Sequence, residues 1–156
     1  MILDKFIASQ RPSTRKMAKY DVIPQMLKLN IGAIFNLQEP GEHALCADGI
    51  DDKIGFSYNP DAFNEVGIAY HNFYWQDLKV PPKEKILTVC QAMMRFHKMG
   101  KRIFVHCHAG TGRTATVICC FIIFCGMITN SMQAVKVTKE SRTKSLPLKK
   151  QVEFVV

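Results

Sequence analysis

The chain has 156 residues, of which 47% are hydrophobic, and a formal net charge of +8 at pH 7. This length and composition predict a single domain spanning residues 1–156 and exclude an intrinsically disordered chain. The longest apolar run, residues 115–128, is shorter than the roughly 18 residues that a membrane-spanning helix needs, so we expect no membrane span.

The N-terminus and the cysteines bear on the compartment and on metal content. Asp4 and Lys5 interrupt the apolar N-terminal residues, so we expect no secretory signal. Six cysteines in a chain without such a signal favour a reducing, cytoplasmic location. No two cysteines form a Cys-x-x-Cys pair, and we therefore expect no structural metal site.

The pattern of apolar, polar and turn-forming residues predicts strands that alternate with helices. Strands are predicted at residues 2–8, 31–37, 68–75 and 103–105. Helices are predicted at residues 14–29 with a break near 21–24, and at 83–98, 112–126, 130–142 and 147–155. Residues 39–67 carry several prolines and glycines and are expected to form a long irregular connection. The alternation predicts an α/β fold with a central, mostly parallel, twisted sheet flanked by helices on both faces.

Basic residues concentrate near the C-terminus. They are Lys136, Lys139, Arg142, Lys144, Lys149 and Lys150, with Glu140 as the one acid among them. Such a run is typical of a solvated helix face, and it also fits the attraction of an anionic substrate such as a phosphoprotein, an inositol phosphate or RNA. No aromatic residue lies among these positions, which argues against a nucleic-acid partner.

The segment 104–118, FVHCHAGTGRTATVI, places Cys107 at the end of a predicted strand and Arg113 at the start of a helix. Ligands of α/β sheets bind beyond the carboxyl ends of the strands. There, the loop N–H groups, the helix N-terminus and the Arg113 guanidinium would converge on a tetrahedral anion such as phosphate. The predicted phosphate-binding residues are His108, Ala109, Gly110, Thr111, Gly112 and Arg113.

The same donors would act on the sulfur of Cys107. A helix N-terminus and nearby cations favour the ionised form, so we expect a thiolate at neutral pH. A thiolate beside a phosphate cradle is a nucleophile for phosphoryl transfer through a covalent cysteinyl phosphate. The hydroxyl of Thr114 would stabilise the sulfur when that intermediate breaks down. A lone cysteine is more often a small core residue, but the joint spacing of Cys107, Arg113 and Thr114 favours catalysis.

The segment His106–Thr114 matches the HCxxGxxRT signature of the cysteine-dependent protein tyrosine phosphatases, and the chain resembles that family. Three further segments extend the resemblance over nearly the whole chain, namely RPST at 11–14, NLQEPGEH at 36–43 and WQD at 75–77. They are similar to the dual-specificity branch. The resemblance implies a dual-specificity phosphatase-like fold, no cofactor and no metal, and hydrolysis of phosphotyrosine, with phosphoserine and phosphothreonine as further candidates.

The resemblance also implies a general acid at Asp77, on the loop that Pro81 and Pro82 close. This carboxyl would protonate the departing oxygen and then accept a proton from the attacking water. An exposed loop aspartate near the helix that starts at Lys83 is the simpler alternative. Asp61, in the long connection, is the second candidate acid.

Several neighbouring residues receive supporting roles from the resemblance. His106 would order the loop and tune Cys107, a role that is compatible with that of a core histidine. His43 and Glu42 would border the cleft. Cys46 is interpreted as a surface or packed thiol, and a reversible disulfide with Cys107 under peroxide is the alternative.

The sequence therefore predicts a monomeric enzyme that hydrolyses phosphotyrosine in a phosphoprotein partner. The alternatives are a phosphoinositide phosphatase, an RNA 5′-triphosphatase and a phosphoprotein-binding module without turnover. His108 and Thr111 stand where inositol-phosphate enzymes that resemble the chain carry lysines, which disfavours the first alternative. Some relatives carry two glutamines near the last helix, and the first of them positions the attacking water. Only Gln151 matches this pair, so the sequence does not predict the rate of the hydrolytic step.

Overall fold

The computed structural model describes residues 1–156. Its strands are β1 Phe6–Ser9, β2 Ile31–Asn36, β3 Ala69–Asn72 and β4 Arg102–His106. Its helices are α1 Thr14–Lys19, α2 Val22–Lys28, α3 Asp61–Asn64, α4 Lys83–Lys98, α5 Arg113–Phe124, α6 Ser131–Ser141 and α7 Lys149–Val155. The strands form one sheet in the order β1-β4-β2-β3, and all three pairings are parallel. The predicted α/β fold is confirmed.

Both faces of the sheet are covered, as the continuous apolar run of β4 requires. Ile103 and Val105 pack into a core with residues of α4 and α5, whereas Phe104 between them packs into a second core with residues of α2 and α3. Helix α5 is apolar on nearly every side because it contacts β1, β4, α4, α6 and α7. None of the helices combines the length and the apolar character needed to cross a bilayer.

The observed elements differ from the predicted ones mainly at their ends. Strand β1 begins at Phe6 rather than at residue 2, because Leu3 and Asp4 adopt positive φ values of 49° and 54° and turn the chain. The third strand is confined to Ala69–Asn72. The long connection is irregular as predicted, apart from α3. The first helix is divided as predicted, but the division lies at residues 20–21, where Asp21 has a φ of 47°, and Pro24 lies inside the first turn of α2.

The loop between β4 and α5 lies directly against the end of β1. Gly110 has a φ of 72°, and a Cβ at this residue would lie 2.1 Å from the carbonyl oxygen of Ser9. Only glycine fits, because a side chain would meet both an unfavourable backbone conformation and a backbone atom. The backbone N–H of Arg11 also donates to the carbonyl of His108 at 3.0 Å. Strand β1 thus fixes where this loop runs.

A buried polar pair lies under the same loop. The Tyr58 hydroxyl is 2.6 Å from Nε2 of His106, and His106 Nδ1 is 3.3 Å from the carbonyl of Cys107. Because a carbonyl only accepts, Nδ1 carries the proton and Nε2 accepts from Tyr58. Burial lowers the pKa of His106 to about 3, so the ring is neutral in the folded protein.

We expect Gly110→Ala to lower the free energy of unfolding by about 1–3 kcal/mol more than Gly126→Ala. Both glycines have positive φ, but a Cβ on Gly126 would meet open space. The control therefore carries only the cost of the left-handed backbone, about 1–2 kcal/mol. Denaturant unfolding followed by the fluorescence of Trp75, the single tryptophan, measures both. Equal losses would show that the Ser9 contact is not restrictive.

We expect the protein to lose stability as the pH falls below about 6.5, the ordinary histidine value. Unfolded His106 binds a proton at that pH, whereas the folded ring resists protonation down to a pKa of about 3. The unfolded state thus binds more protons across this window, and stability falls with pH. His106→Gln should flatten the dependence between about pH 6.5 and pH 5, above the range where carboxylates titrate. An unchanged slope in this variant would contradict the assignment.

Candidate active site

Three loops meet at one edge of the sheet, where the parallel strands β2, β3 and β4 end. They carry residues 37–43, 73–77 and 107–112, respectively. The carboxyl edge of a parallel sheet is the usual place for a ligand site. The loops bring together the residues that the sequence singles out for chemistry, which are Cys107, Thr114, Arg113, Asp77, His43 and His108.

The carbonyl groups of the loop after β4 are tied away from its centre. His108 O accepts from Arg11 N at 3.0 Å, Ala109 O from Arg142 Nη2 at 3.3 Å, and Thr111 O from Leu146 N at 3.0 Å. In a trans peptide the N–H of the next residue points the opposite way. The N–H groups that follow these carbonyls therefore point into the loop, and one of them, from Gly110, donates to Cys107 Sγ at 3.2 Å.

The sulfur of Cys107 sits at the centre of these donors. The residue is 3% exposed, and its Sγ accepts from the Gly110 N–H and from Thr114 Oγ1, each at 3.2 Å. Helix α5 starts directly behind it, at a Gly112 N-cap that has no side-chain capping bond. Two hydrogen-bond donors and the N-terminus of α5 therefore face the sulfur.

The guanidinium of Arg113 is completely buried. Its Nη1 donates to the carbonyls of Leu37 and Trp75, each at 3.0 Å. The two terminal nitrogens also bind both carboxylate oxygens of Glu42, at 2.8 and 2.5 Å. The fork is thereby fixed in orientation, while its Nε is buried and has no partner. This nitrogen is therefore available to donate to an acceptor from outside the protein, such as a phosphoryl oxygen.

Glu42 contacts Arg113 directly, which the sequence did not indicate. Burial raises the pKa of its carboxyl, but the hydrogen bonds and the charge of Arg113 outweigh burial and leave that pKa lowered. Sequence reasoning placed Glu42 only at the border of the cleft. The structure makes it the anionic partner of a buried cation, and the acidic position within NLQEPGEH was the available signal.

Asp77 lies between two of these side chains. Its Oδ1 is 3.2 Å from Arg113 Nη2, and its Oδ2 is 3.0 Å from His43 Nε2. Burial tends to raise the pKa of Asp77, but the charge of Arg113 and the bond from His43 outweigh it, so the pKa is lowered. The carboxyl is ionised at neutral pH when no substrate is present. Asp61, the second candidate acid, is exposed and begins α3.

The three histidines of the site occupy different environments. His43 stacks on His108 with ring centroids 3.8 Å apart, while His106 lies beneath the loop with Tyr58. Burial and the nearby charges of His43 and Arg11 lower the pKa of His108. The Nδ1 of His108 is buried without a hydrogen-bond partner.

Two side chains outside the three loops brace them. Arg11 Nη2 donates to the carbonyls of His43 and Cys46, at 3.1 and 2.5 Å, and thereby holds the long connection in place. Gln151 is buried against Gly112, and a Cβ added to Gly112 would lie 2.6 Å from the Nε2 of Gln151. Arg11 belongs to the RPST segment, but no local pattern indicated what its side chain contacts.

Two cavities open beside the Cys107 loop. The first, of about 270 Å³, lies between Arg11, Asp48 and His108. The second, of about 560 Å³, is lined by Ala109 and Thr111 of the loop and by Lys139 and Lys144. Part of the late basic run therefore borders the site.

Comparison with known proteins agrees with this geometry. The family model described as protein-tyrosine phosphatase matches residues 51–156. Protein tyrosine phosphatase domain-containing protein 1 of Mus musculus is 38% identical over 151 residues, which cover 97% of this chain and 20% of the relative. The phosphatidylglycerophosphate phosphatase PTPMT2 of Arabidopsis thaliana is 27% identical over 109 residues, 65% of this chain and 39% of the relative.

The crystal structure of Tk-PTP in the active form shares the fold, with a TM-score of 0.75 and 19% identity over 96% of this chain and 87% of that chain. The chain spans about a fifth of the length of the domain-containing protein 1 relatives that it matches. The expected family is confirmed by the family model together with these likenesses. The chain belongs to the protein-tyrosine phosphatase family.

Proposed function

We propose that residues 1–156 form a single catalytic domain that hydrolyses phosphotyrosine in phosphoproteins through Cys107. One observation carries the proposal. A sulfur with two hydrogen-bond donors shares a loop with an arginine whose buried Nε has no acceptor. A phosphoryl group supplies what both lack, an electrophile for the sulfur and an acceptor for the arginine.

In the first step the Cys107 thiolate attacks phosphorus and forms an S–P bond while the bond from phosphorus to the tyrosine oxygen breaks. The inward N–H groups of the loop and the Arg113 Nε, which has no partner in the protein, bind the other phosphoryl oxygens and stabilise their charge in the transition state. The departing oxygen takes a proton from Asp77. Peptide N–H groups and a guanidinium supply the positive field, so the reaction needs no metal.

In the second step water attacks the cysteinyl phosphate and the S–P bond breaks. Asp77, now a carboxylate, accepts the proton of the water. Thr114 Oγ1, which lies 3.2 Å from Sγ, stabilises the sulfur anion as it leaves. His108, Ala109 and Thr111 line the cradle through their backbone, and His106 and His43 position the nucleophile and the acid, respectively.

Asp77 has to carry a proton for the first step, although Arg113 and His43 lower its pKa and favour the ionised form. A phosphate dianion in the cradle would bind Arg113 and add negative charge beside the carboxyl. Both effects favour the protonated acid. Substrate binding would therefore prepare Asp77 for proton transfer.

A phospholipid headgroup is the second candidate substrate. Lys139 and Lys144 border the cavity beside the loop, and they suit a ligand with more than one anionic group. The name of one relative, phosphatidylglycerophosphate phosphatase PTPMT2, specifies a lipid phosphate and supports the same candidate substrate. The family as a whole and the relatives of higher identity favour the phosphoprotein.

We expect the wild-type chain to hydrolyse a phosphotyrosine peptide with a higher kcat/KM than a phosphoserine peptide, a phosphoinositide or a 5′-triphosphate RNA. Cys107→Ser should lower turnover by at least about 10⁴-fold, because the nucleophile is lost. It should still bind the peptide, since Arg113 and the loop N–H groups remain. Phosphate release and peptide binding by fluorescence anisotropy measure the two properties separately.

Two results would contradict this assignment. If the wild-type chain binds the peptide without releasing phosphate, it is a binding module. If the lipid or the RNA is the faster substrate, the protein is not primarily a phosphoprotein phosphatase.

We expect Asp77→Asn to slow hydrolysis of a phosphate ester with a poor leaving group by about 10²–10⁴-fold. An ester with a good leaving group should be hydrolysed almost normally, because it needs no proton. Since the pKa of Asp77 is lowered, the wild-type preference for the good leaving group should shrink as the pH falls and Asp77 gains its proton. Asp61→Asn is the matched control and should behave as wild type. If Asp61→Asn slowed hydrolysis of the poor leaving group and Asp77→Asn did not, Asp61 would be the general acid.

A further inference from the structure

The peptide group between Ala109 and Gly110 is bonded on both sides. Its N–H donates to Cys107 Sγ at 3.2 Å, and its carbonyl accepts from Arg142 Nη2 at 3.3 Å. The carbonyl and the N–H of a trans peptide point in opposite directions, so the bond from Arg142 fixes the direction in which the Gly110 N–H points. Arg142 therefore acts on the sulfur through a single peptide group.

The Ala109 carbonyl differs from its neighbours in how it is held. The carbonyls of His108 and Thr111 accept from main-chain N–H groups, which are present whatever side chains the donor residues carry. The Ala109 carbonyl accepts from a side chain alone. The orientation of this peptide group thus depends on the identity of residue 142.

Gly110 does little to fix the direction of its own N–H. The contact with Ser9 admits only glycine, since a Cβ would lie 2.1 Å from the Ser9 carbonyl oxygen. Glycine lacks the Cβ that limits backbone rotation in other residues, and it populates positive and negative φ about equally readily. A bond to the carbonyl from outside the loop supplies the restraint that this residue lacks.

The guanidinium of Arg142 is itself held firmly. Its Nη1 donates to the carbonyl of Ala8 in β1 at 2.5 Å, and its backbone N–H bonds to the carbonyl of Thr138 in α6 at 3.0 Å. None of the ion pairs in the structure involves Arg142. No paired carboxylate therefore weakens the effect of its positive charge on the Ala109 carbonyl.

We propose that Arg142 is a positioning residue that holds the Gly110 N–H toward the sulfur of Cys107. A cation on the carbonyl also polarises the peptide group, which makes its N–H a stronger donor. A donor aimed at the sulfur favours the ionised form of Cys107. The effect on catalysis rests on the proposed function, whereas the effect on the reactivity of the sulfur does not.

The first test measures alkylation of Cys107 by iodoacetamide, which reacts with the thiolate. Arg142→Met removes both side-chain bonds and should slow this reaction at pH 6 by about three- to tenfold, the scale of one hydrogen bond. At pH 9, where an ordinary thiol is mostly ionised, the variant and the wild type should react at similar rates. Mass spectrometry of the Cys107 peptide separates this residue from the other cysteines, and the exposed Cys46 serves as an internal reference.

Arg142→Lys separates position from charge. It keeps the positive charge, but one ammonium group does not span the carbonyls of Ala8 and Ala109 as a guanidinium fork does. Alkylation of this variant at pH 6 should therefore remain at least about twofold slower than that of the wild type. Full recovery would show that charge alone acts, and it would overturn the positioning role.

Arg102→Met is the matched control for a general loss of stability. Arg102 also donates to two backbone carbonyls, those of Asp4 and Leu29, but it begins β4, at the opposite end of the strand from Cys107. This variant should unfold at lower denaturant concentration without slower alkylation of Cys107. If it slows alkylation as much as Arg142→Met does, the proposal fails.

Turnover supplies the part of the test that depends on the proposed function. With a phosphotyrosine peptide at pH 6, kcat/KM of Arg142→Met should fall by about three- to tenfold, and by less at pH 8, where more of the thiol is ionised in both proteins. Slower alkylation without detectable wild-type turnover would support the role of Arg142 and show the phosphatase assignment to be wrong. Unchanged alkylation in Arg142→Met overturns the inference whatever the turnover.

Discussion

The buried guanidinium of Arg113 is the interaction on which the site depends. A charge without solvent contact is stable only when it is paired and hydrogen-bonded. Arg113 meets this requirement with Glu42 and Leu37 from the loop after β2, and with Trp75 and Asp77 from the loop after β3. One cation therefore ties three sheet-edge loops together. Breaking the pair with Glu42 would leave a buried charge uncompensated and release the loop that carries His43.

The loop between β4 and α5 is ordered by a different means, through its backbone. Its carbonyls are anchored on the Arg11 N–H just after β1, on Arg142 and on the segment before α7. The contact of Gly110 with Ser9 allows only a residue without a side chain. The N–H groups are thus oriented before any ligand binds, so little reorganisation is needed in the transition state. The fold thus fixes the orientation of the loop N–H groups, just as Glu42 fixes the orientation of the Arg113 guanidinium.

The sequence allowed the sheet, the order of helices and the Cys107 loop to be predicted, because their signals are local. A buried strand, two glycines and an arginine occur within a dozen residues of one another. The bonds of Glu42 to Arg113 and of Arg11 to Cys46 join residues 71 and 35 positions apart, and no periodicity records such contacts. The start of β1 was misplaced for a related reason, since apolar residues at 2 and 3 resemble a strand although the backbone turns there.

The proposed reaction needs a protonated Asp77, whereas its neighbours in the protein favour the ionised form. Arg113 and His43 both stabilise its carboxylate, and the pKa is lowered accordingly. One of these neighbours, Arg113, would also contact the substrate. A dianionic phosphate beside Arg113 Nε would add negative charge next to this carboxyl and favour its protonated form. Because one hydrogen-bonded chain runs from Arg113 through Asp77 to His43, an anion at the Arg113 end would weaken the hold of that charge on Asp77 and thereby couple phosphate binding to protonation of the proposed acid.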